Sequence, residues 1–465
     1  MGMLSIIKNV FARMFDTEAK AYFGAEPVSS TDMQSAITAW MATYRGAPAW
    51  VDSADEIRTI NFAKSVCAET ARLSTLAIGI NAEGSARASW LQRQIEIMIL
   101  PRLRRWIEYG CAAGTLILKP NGSGIDVVTP ERFMVTACDS NKRITGAIFQ
   151  DTYTVGKEYY TKLEYHRIEG SQYRISSKAF VSNSEGVLGR PVGLEATRWA
   201  DINPEVAITK QSGDGIERML FGVFTMPEAN SIDLDSPLGM SIFSGAMEEL
   251  RDLDIAYSRN ATEIEDSSTI ELLDDLLIRG DGKKASRLPR HVHNVFGNDA
   301  GDFYQQIVRP LSTTERKVGI NQQLSLIGYK CGYSNGYFVF DQKTGMATAT
   351  QVESDDRRTI QLIKDVRDQL QSALDDTIYA MSIFADLYDL APAGAYEISY
   401  DFGDITYNTD EDRNRSYQLM IQGVVPKWWY LSKWEGMSEE EAKALVAETQ
   451  ASSRRQQLFE EATTE

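Results

Sequence analysis

Three histidines, His166, His291 and His293, are the side chains best suited to bind a transition metal. His291 and His293 stand two apart and could share an ion, but no cysteine or third histidine lies near them to complete a zinc site. They sit in a basic stretch that reads as surface, so no metal site is expected. Two adjacent acid pairs, Asp355–Asp356 and Asp375–Asp376, could hold divalent ions for phosphodiester cleavage. Both fall in a helical pattern, where neighbouring side chains diverge by about 100°. Solvated helix faces explain them better than a shared ion. A metal-dependent nuclease is the enzymatic alternative, and it rests on these carboxylates alone. The chain has no G-x-S-x-G elbow, P-loop, G-x-G-x-x-G or H-E-x-x-H. So long a chain without a catalytic constellation points away from an enzyme, and no cofactor is called for.

Charge is more informative. With 48 Lys and Arg against 65 Asp and Glu, the net charge is −17. That argues against a broad basic surface gripping nucleic acid phosphates. It leaves room for a passage through which nucleic acid slides, where strong attraction would hinder movement. Lys283, Lys284, Arg287 and Arg290 read as the one concentrated positive cluster. Without interleaved aromatics or a docking motif, it suits a contact with acidic partners at least as well as DNA. Acids are dense from Ser241 to Asp266: Glu248, Glu249, Asp252, Asp254, Glu263, Glu265 and Asp266 face only Arg251 and Arg259. A solvated helix face is the ordinary meaning of that pattern.

The elements that must position these residues alternate in kind. Ser53-Ala54-Asp55-Glu56 reads as a capping box opening a helix that buries Ile57, Ile60, Val66 and Leu73. A second helix, Trp90 to about Tyr109, should break at Pro101. From Thr115 the period becomes two, and strands are expected at 116–118, 125–128, 133–135, 144–150, 158–168 and 173–181. Turns at Asn121-Gly122 and Glu169-Gly170 separate some of them. A helix from Ser241 to Asp266 follows, then short strands at 270–279 and 303–308 and a helix from Thr313 to Leu326. A polar, glycine-bearing loop then runs into a long helix with Val352, Ile363, Val366, Leu370, Leu374, Ile378 and Met381 on one face. Next come a strand at 396–400, a helix at 409–422, a tryptophan-rich unit at 428–434 and a capping box at Ser438-Glu439-Glu440-Glu441. The class is α+β.

Length favours more than one core. The four cysteines, Cys67, Cys111, Cys138 and Cys331, have no framework spacing and read as buried free thiols. Met1 to Phe15 forms a short amphipathic pattern rather than a signal peptide. No apolar run is long enough to span a membrane.

Four segments carry a resemblance to a known family. They are Asp235-Ser236-Pro237-Leu238-Gly239 before the acidic helix, and Gln322 to Gly332 followed by Gly336 to Asp341. The others are Thr348 to Ser354 at the head of the long helix and Gly436 to Ala442 near the C-terminus. Together they resemble the portal proteins of tailed bacteriophages, more closely those of phages of Gram-positive bacteria. The resemblance covers nearly the whole chain, with the short C-terminal region as a departure that implies a reduced crown.

It implies a homo-oligomeric ring, twelve-membered in that family, at one capsid vertex, with double-stranded DNA passing through it in packaging and ejection. Such a protein belongs to the virion and is assembled in the host cytoplasm. The resemblance assigns 1–235 and 352–405 to the wing, 240–267 and 313–327 to stem helices, and 268–312 to the clip. It makes 330–351 the tunnel loop and 406–465 the crown. Channel-lining acids would be Glu248, Glu249, Asp252, Glu263 and Glu265; the loop's DNA-contacting residues would be Gln342, Lys343, Thr344 and Thr348. Lys283, Lys284, Arg287 and Arg290 would meet the terminase motor and later the head-tail adaptor. Major capsid and scaffolding proteins are further implied partners. A minor capsid or head-tail connector protein without an open channel is the structural alternative.

Overall fold

The computed structural model describes residues 20–51, 57–210, 215–266, 270–274, 292–295, 304–307, 313–340, 349–403, 416–422, 424–435 and 437–449. The chain falls into two units, one up to Gly403 and one from Asp404.

The first unit opens with helices α1 (Thr31–Tyr44), α2 (Phe62–Ser74), α3 (Ala86–Gln94) and α4 (Leu103–Ala113), with strand β1 (Gly79–Glu83) between α2 and α3. Ser30 and Ser85 cap α1 and α3, each hydroxyl accepting an N–H from the first turn. After α3 the chain widens into a π-turn, Ile95–Ile99, and the helical run breaks at Pro101 as expected. α3 begins at Ala86, ahead of the expected Trp90.

α2 departs further from expectation, because it begins at Phe62 and residues 57–61 are not helical. Their backbone groups have other partners. Arg58 N donates to Ser258 Oγ at 2.8 Å and Ile60 N to Asp254 Oδ1 at 2.9 Å. Those distant acceptors compete with the local helix, and Asn61 enters α2 with φ 52°. Ser53 and Glu56 lie outside the described residues.

Strand β2 (Thr115–Pro120) lies between β3 (Ile125–Val128) and β10 (Gly222–Thr225) in one antiparallel sheet. β4 (Phe133–Cys138), β5 (Ile144–Val155), β6 (Glu158–Glu169), β7 (Gln172–Ser182) and β8 (Arg190–Val192) pair in sequence order in a larger one. β9 (Glu205–Ile208) pairs with the first half of β7. Turn glycines Gly122 and Gly170 have φ of 85° and 63°, as the sequence implies. Met134, Ile148, Leu163 and Phe180 form the core of the larger sheet, with Ala25 and Leu188.

Helix α5 (Met247–Asp266) starts six residues after Ser241. Ser241 Oγ and Ile242 N both donate to the Cys111 carbonyl, at 3.3 and 3.0 Å, so this stretch serves the end of α4 first. Strands β11 (Ile270–Asp274), β12 (Val292–Val295) and β13 (Tyr304–Ile307) follow, with β11 central, parallel to β12 and antiparallel to β13. Helix α6 (Thr313–Lys330) extends beyond the expected Leu326.

The long helix is α7 (Ala349–Leu387), 39 residues. Ile363, Val366, Leu370, Leu374, Ile378 and Met381 are buried along it, as their spacing requires. It packs on β10 so closely that a Cβ at Gly222 would stand 2.0 Å from Ala373 O. Buried Arg367 donates to Leu73 O, Ser74 O and Gly403 O at 3.1, 3.2 and 2.8 Å, fastening the end of α2 to α7. Strand β14 (Glu397–Asp401) pairs antiparallel with the distant β1.

The second unit has helical residues 416–421, α8 (Lys427–Glu435) and helical residues 439–449. The expected capping box is present: Glu441 N donates to Ser438 Oγ at 3.3 Å, and Ser438 N to Glu441 Oε2 at 3.1 Å. Ser416 and Ala442 are its buried side chains among the described residues.

Candidate functional site

Helices α5 and α6 form an antiparallel hairpin, since Lys330 at the end of α6 pairs with Glu249 in the first turn of α5. By connectivity the three-stranded sheet β12-β11-β13 lies at the hairpin's other end. The two halves differ in burial. Near the base, Leu250, Leu253, Leu324 and Ile327 are buried. In the distal half, residues 259–262 of α5 and 314–320 of α6 include no buried side chain.

The expected acidic face is only partly present in the described half. Glu248 and Asp252 are exposed, but so are Arg251 and Arg259, which balance them. Glu249 is half-buried against Lys330. Asp254 corrects the solvated-face reading: it is buried and accepts from Trp50 Nε1 and Ile60 N, both at 2.9 Å. It holds α5 to the segment between α1 and α2. Glu263 and Glu265 lie on α5, but their side chains are outside the described residues, and with Asp266 they make up most of the acidic excess of this helix.

α6 carries apolar side chains on two faces. Leu324 and Ile327 point into the fold, whereas Val318, Leu326 and Tyr329 fall on the opposite side and are 59%, 45% and 51% exposed. Arg358 lies 3.8 Å over the Tyr329 ring. On α5, Tyr257 is also exposed.

The base of the loop between α6 and α7 is clamped on three sides. Tyr333, wholly buried, lies with its hydroxyl 2.6 Å from Thr70 Oγ1 on α2. Ser334 N donates to Thr359 Oγ1 on α7 at 2.9 Å. Phe340 N donates to Asn321 Oδ1 on α6 at 3.1 Å. Rings of Phe62, Tyr333, Tyr337 and Phe338 pack edge-on or tilted, with centroids 4.8–5.2 Å apart. Burial pushes the Tyr333 and Tyr337 hydroxyls above their ordinary range, and Glu69 beside Tyr337 adds to its shift. Both phenols therefore stay protonated, and Tyr337 OH donates to Glu69 Oε1 at 2.5 Å. Gln342, Lys343, Thr344 and Thr348 lie outside the described residues.

Lys283, Lys284, Arg287 and Arg290 also lie outside them, as does His291. His293 is on β12, opposite Leu272 of β11. Among the described residues no group of three metal-binding side chains is present. Asp375 and Asp376 do diverge, but they are half-buried rather than solvated. Asp375 accepts from Tyr400 OH at 2.7 Å, and Asp376 pairs with Arg218 at 3.3 Å.

The densest buried ionisable group was not foreseen. Glu164 accepts from Lys119, Lys162 and His166 Nε2 at 2.8, 2.6 and 2.5 Å, while His166 Nδ1 lies 2.7 Å from Tyr173 OH. Burial works to raise the Glu164 carboxyl, but its cationic neighbours outweigh it and hold the group well below the usual carboxylate range. Desolvation depresses His166. Glu164 and His166 are two apart on one strand face, the available sequence signal. Because Lys119 is on β2 and Glu164 on β6, the cluster ties the two sheets together. With its members buried, it reads as a structural bridge. Positive charge is also not confined to the cluster at 283–290. Arg102, Arg104 and Arg105 are exposed at the start of α4.

No protein-family model and no curated protein matches this sequence. No helix among the described residues is long and apolar enough to cross a membrane.

Proposed function

We propose that this chain is the subunit of a phage portal, a ring that conducts double-stranded DNA through one capsid vertex during packaging and ejection and joins head to tail. The observation that carries this reading is the α5–α6 hairpin. Among the described residues of its distal half none has a buried side chain, and α6 turns Val318, Leu326 and Tyr329 outward. Such a stripe favours cover by identical neighbours. A contact that joins different faces of successive copies closes into a ring when its rotation permits. The small sheet beyond the hairpin suits the clip, where Lys283, Lys284, Arg287 and Arg290 would meet the terminase motor and the adaptor. Acids at Glu248, Asp252, Glu263 and Glu265 would line the passage and keep phosphates from adhering. Major capsid and scaffolding proteins would surround the ring.

Negative-stain imaging and sedimentation of the purified chain test this. Rings with a central hole are expected. A monomer at every protein and salt concentration overturns the proposal, and closed clusters without a hole favour a connector.

A further inference from the structure

From the π-turn into the first turn of α4 the chain displays one apolar side chain beside three arginines. Ile97 is 58% exposed. Pro101, Arg102, Arg104 and Arg105 are exposed with it. Arg102 Nη1 donates to Ile97 O and Met98 O at 2.9 and 3.2 Å, so it fixes the turn that presents Ile97. Arg105 has no ion pair or hydrogen bond among the described residues, and Arg104 acts on Glu69 through space. The first turn of α4 contains no acid, so these cations run against the dipole of their own helix. Arg102 serves the turn, but local folding offers no such reason for Arg105.

We propose that this face docks an acidic segment of a partner protein, with an apolar side chain on Ile97 and carboxylates on Arg104 and Arg105. A guanidinium matches a carboxylate with two parallel hydrogen bonds. Arginine beside an apolar anchor is the usual composition of a protein contact. A phosphate backbone fits less well, because it offers no apolar group to cover the exposed Ile97. The chain's charge of −17 opposes an acidic partner at long range. Beyond about 8–10 Å that field is screened at ordinary salt, so the arginines next to the partner decide the contact. The proposal does not depend on the ring reading.

The test is fluorescence anisotropy on the full chain, with a labelled helical peptide bearing leucine on one face flanked by glutamate. A serine-for-leucine peptide and a 20-base-pair duplex serve as the other probes. Arg104→Glu with Arg105→Glu should weaken the leucine peptide about tenfold or more. Ile97→Ser should weaken it several-fold and abolish its advantage over the serine peptide. Far-ultraviolet circular dichroism should be unchanged for both variants. Equal binding by wild type and the charge-reversed variant, or no binding at all, overturns the proposal. So does tighter binding of the duplex with no response to Ile97→Ser, which would place a nucleic acid on this face.

Discussion

The Tyr333 hydroxyl donates to Thr70 Oγ1 across 263 residues of sequence, at 2.6 Å. The direction follows from Thr70, whose own proton goes to Val66 O at 2.8 Å. This bond joins the foot of the α6–α7 loop to the middle of α2, in a wholly buried site. Tyr333→Phe should therefore cost about 1–2 kcal/mol, the loss of one buried hydrogen bond that leaves its acceptor unsatisfied. Tyr333→Ala should cost about 3–5 kcal/mol, because a cavity is added. Urea denaturation of both variants measures the difference. Equal losses would mean that packing contributes nothing at this position.

Asp254 is the corresponding tie on α5. Asp254→Ala removes a charged acceptor from Trp50 Nε1 and Ile60 N, both at 2.9 Å. A loss of about 3 kcal/mol is expected, together with faster amide exchange at Ile60. Glu248→Ala, on the exposed side of the same helix, should stay within about 0.5 kcal/mol of wild type.

Much of this was legible in the sequence, and the failures share a cause. Hairpin strands and α7 follow from periodicity, because local pattern and burial agree along them. Ser438 and Glu441 form their box because both partners lie within four residues. Ser53 and Glu56 carry the same signature, yet α2 starts at Phe62, since the segment before it gives its N–H groups to Asp254 and Ser258, about two hundred residues away. Burial of Asp254 within a run of solvated acids has the same origin. Lys119 could not be joined to Glu164 from spacing, because the pair forms between two sheets.

That pair gives the chain a defined response to acid. His166 is depressed below its ordinary 6.5, so the unfolded chain takes up the proton first as pH falls. Its contribution to stability is full above 6.5 and is lost progressively below it. Glu164, held below its ordinary 4.5, loses its contribution at still lower pH. Melting temperature should thus fall in two stages below pH 6.5. His166→Gln should flatten the first stage and leave the second. Glu164→Gln should cost about 3–5 kcal/mol at neutral pH, because Lys119 and Lys162 would stay buried without a counter-charge.

Assembly should depend on the outward face of α6. Val318→Asp with Leu326→Asp changes exposed positions, so subunit stability should move by no more than about 0.5 kcal/mol per site. Within the portal reading, ring formation should nevertheless be lost, with the chain sedimenting as a monomer. Rings that survive both substitutions would move the interface to another surface.

Deleting Gln342 to Met346 should separate the loop from its supports. Its foot is fixed by Tyr333 to α2, by Ser334 to α7 and by Phe340 to α6. The deletion begins past the last of these ties. α7 is held by Ile363, Val366, Leu370 and Leu374, which begin seventeen residues beyond Met346 and pack in the core. Helix and ring should therefore remain, with melting temperature near that of wild type. Within the portal reading, what is lost is the polar surface of Gln342 and Thr344 and the single cation of Lys343. One lysine can touch a passing phosphate weakly and release it, because the affinity gained at each phosphate must be given up at the next step. Packaged DNA length or retention should fall while ring yield holds, as measured by nuclease protection of filled heads. If the rings collapse, the loop is a structural connector. If protection is unchanged, it does not contact DNA.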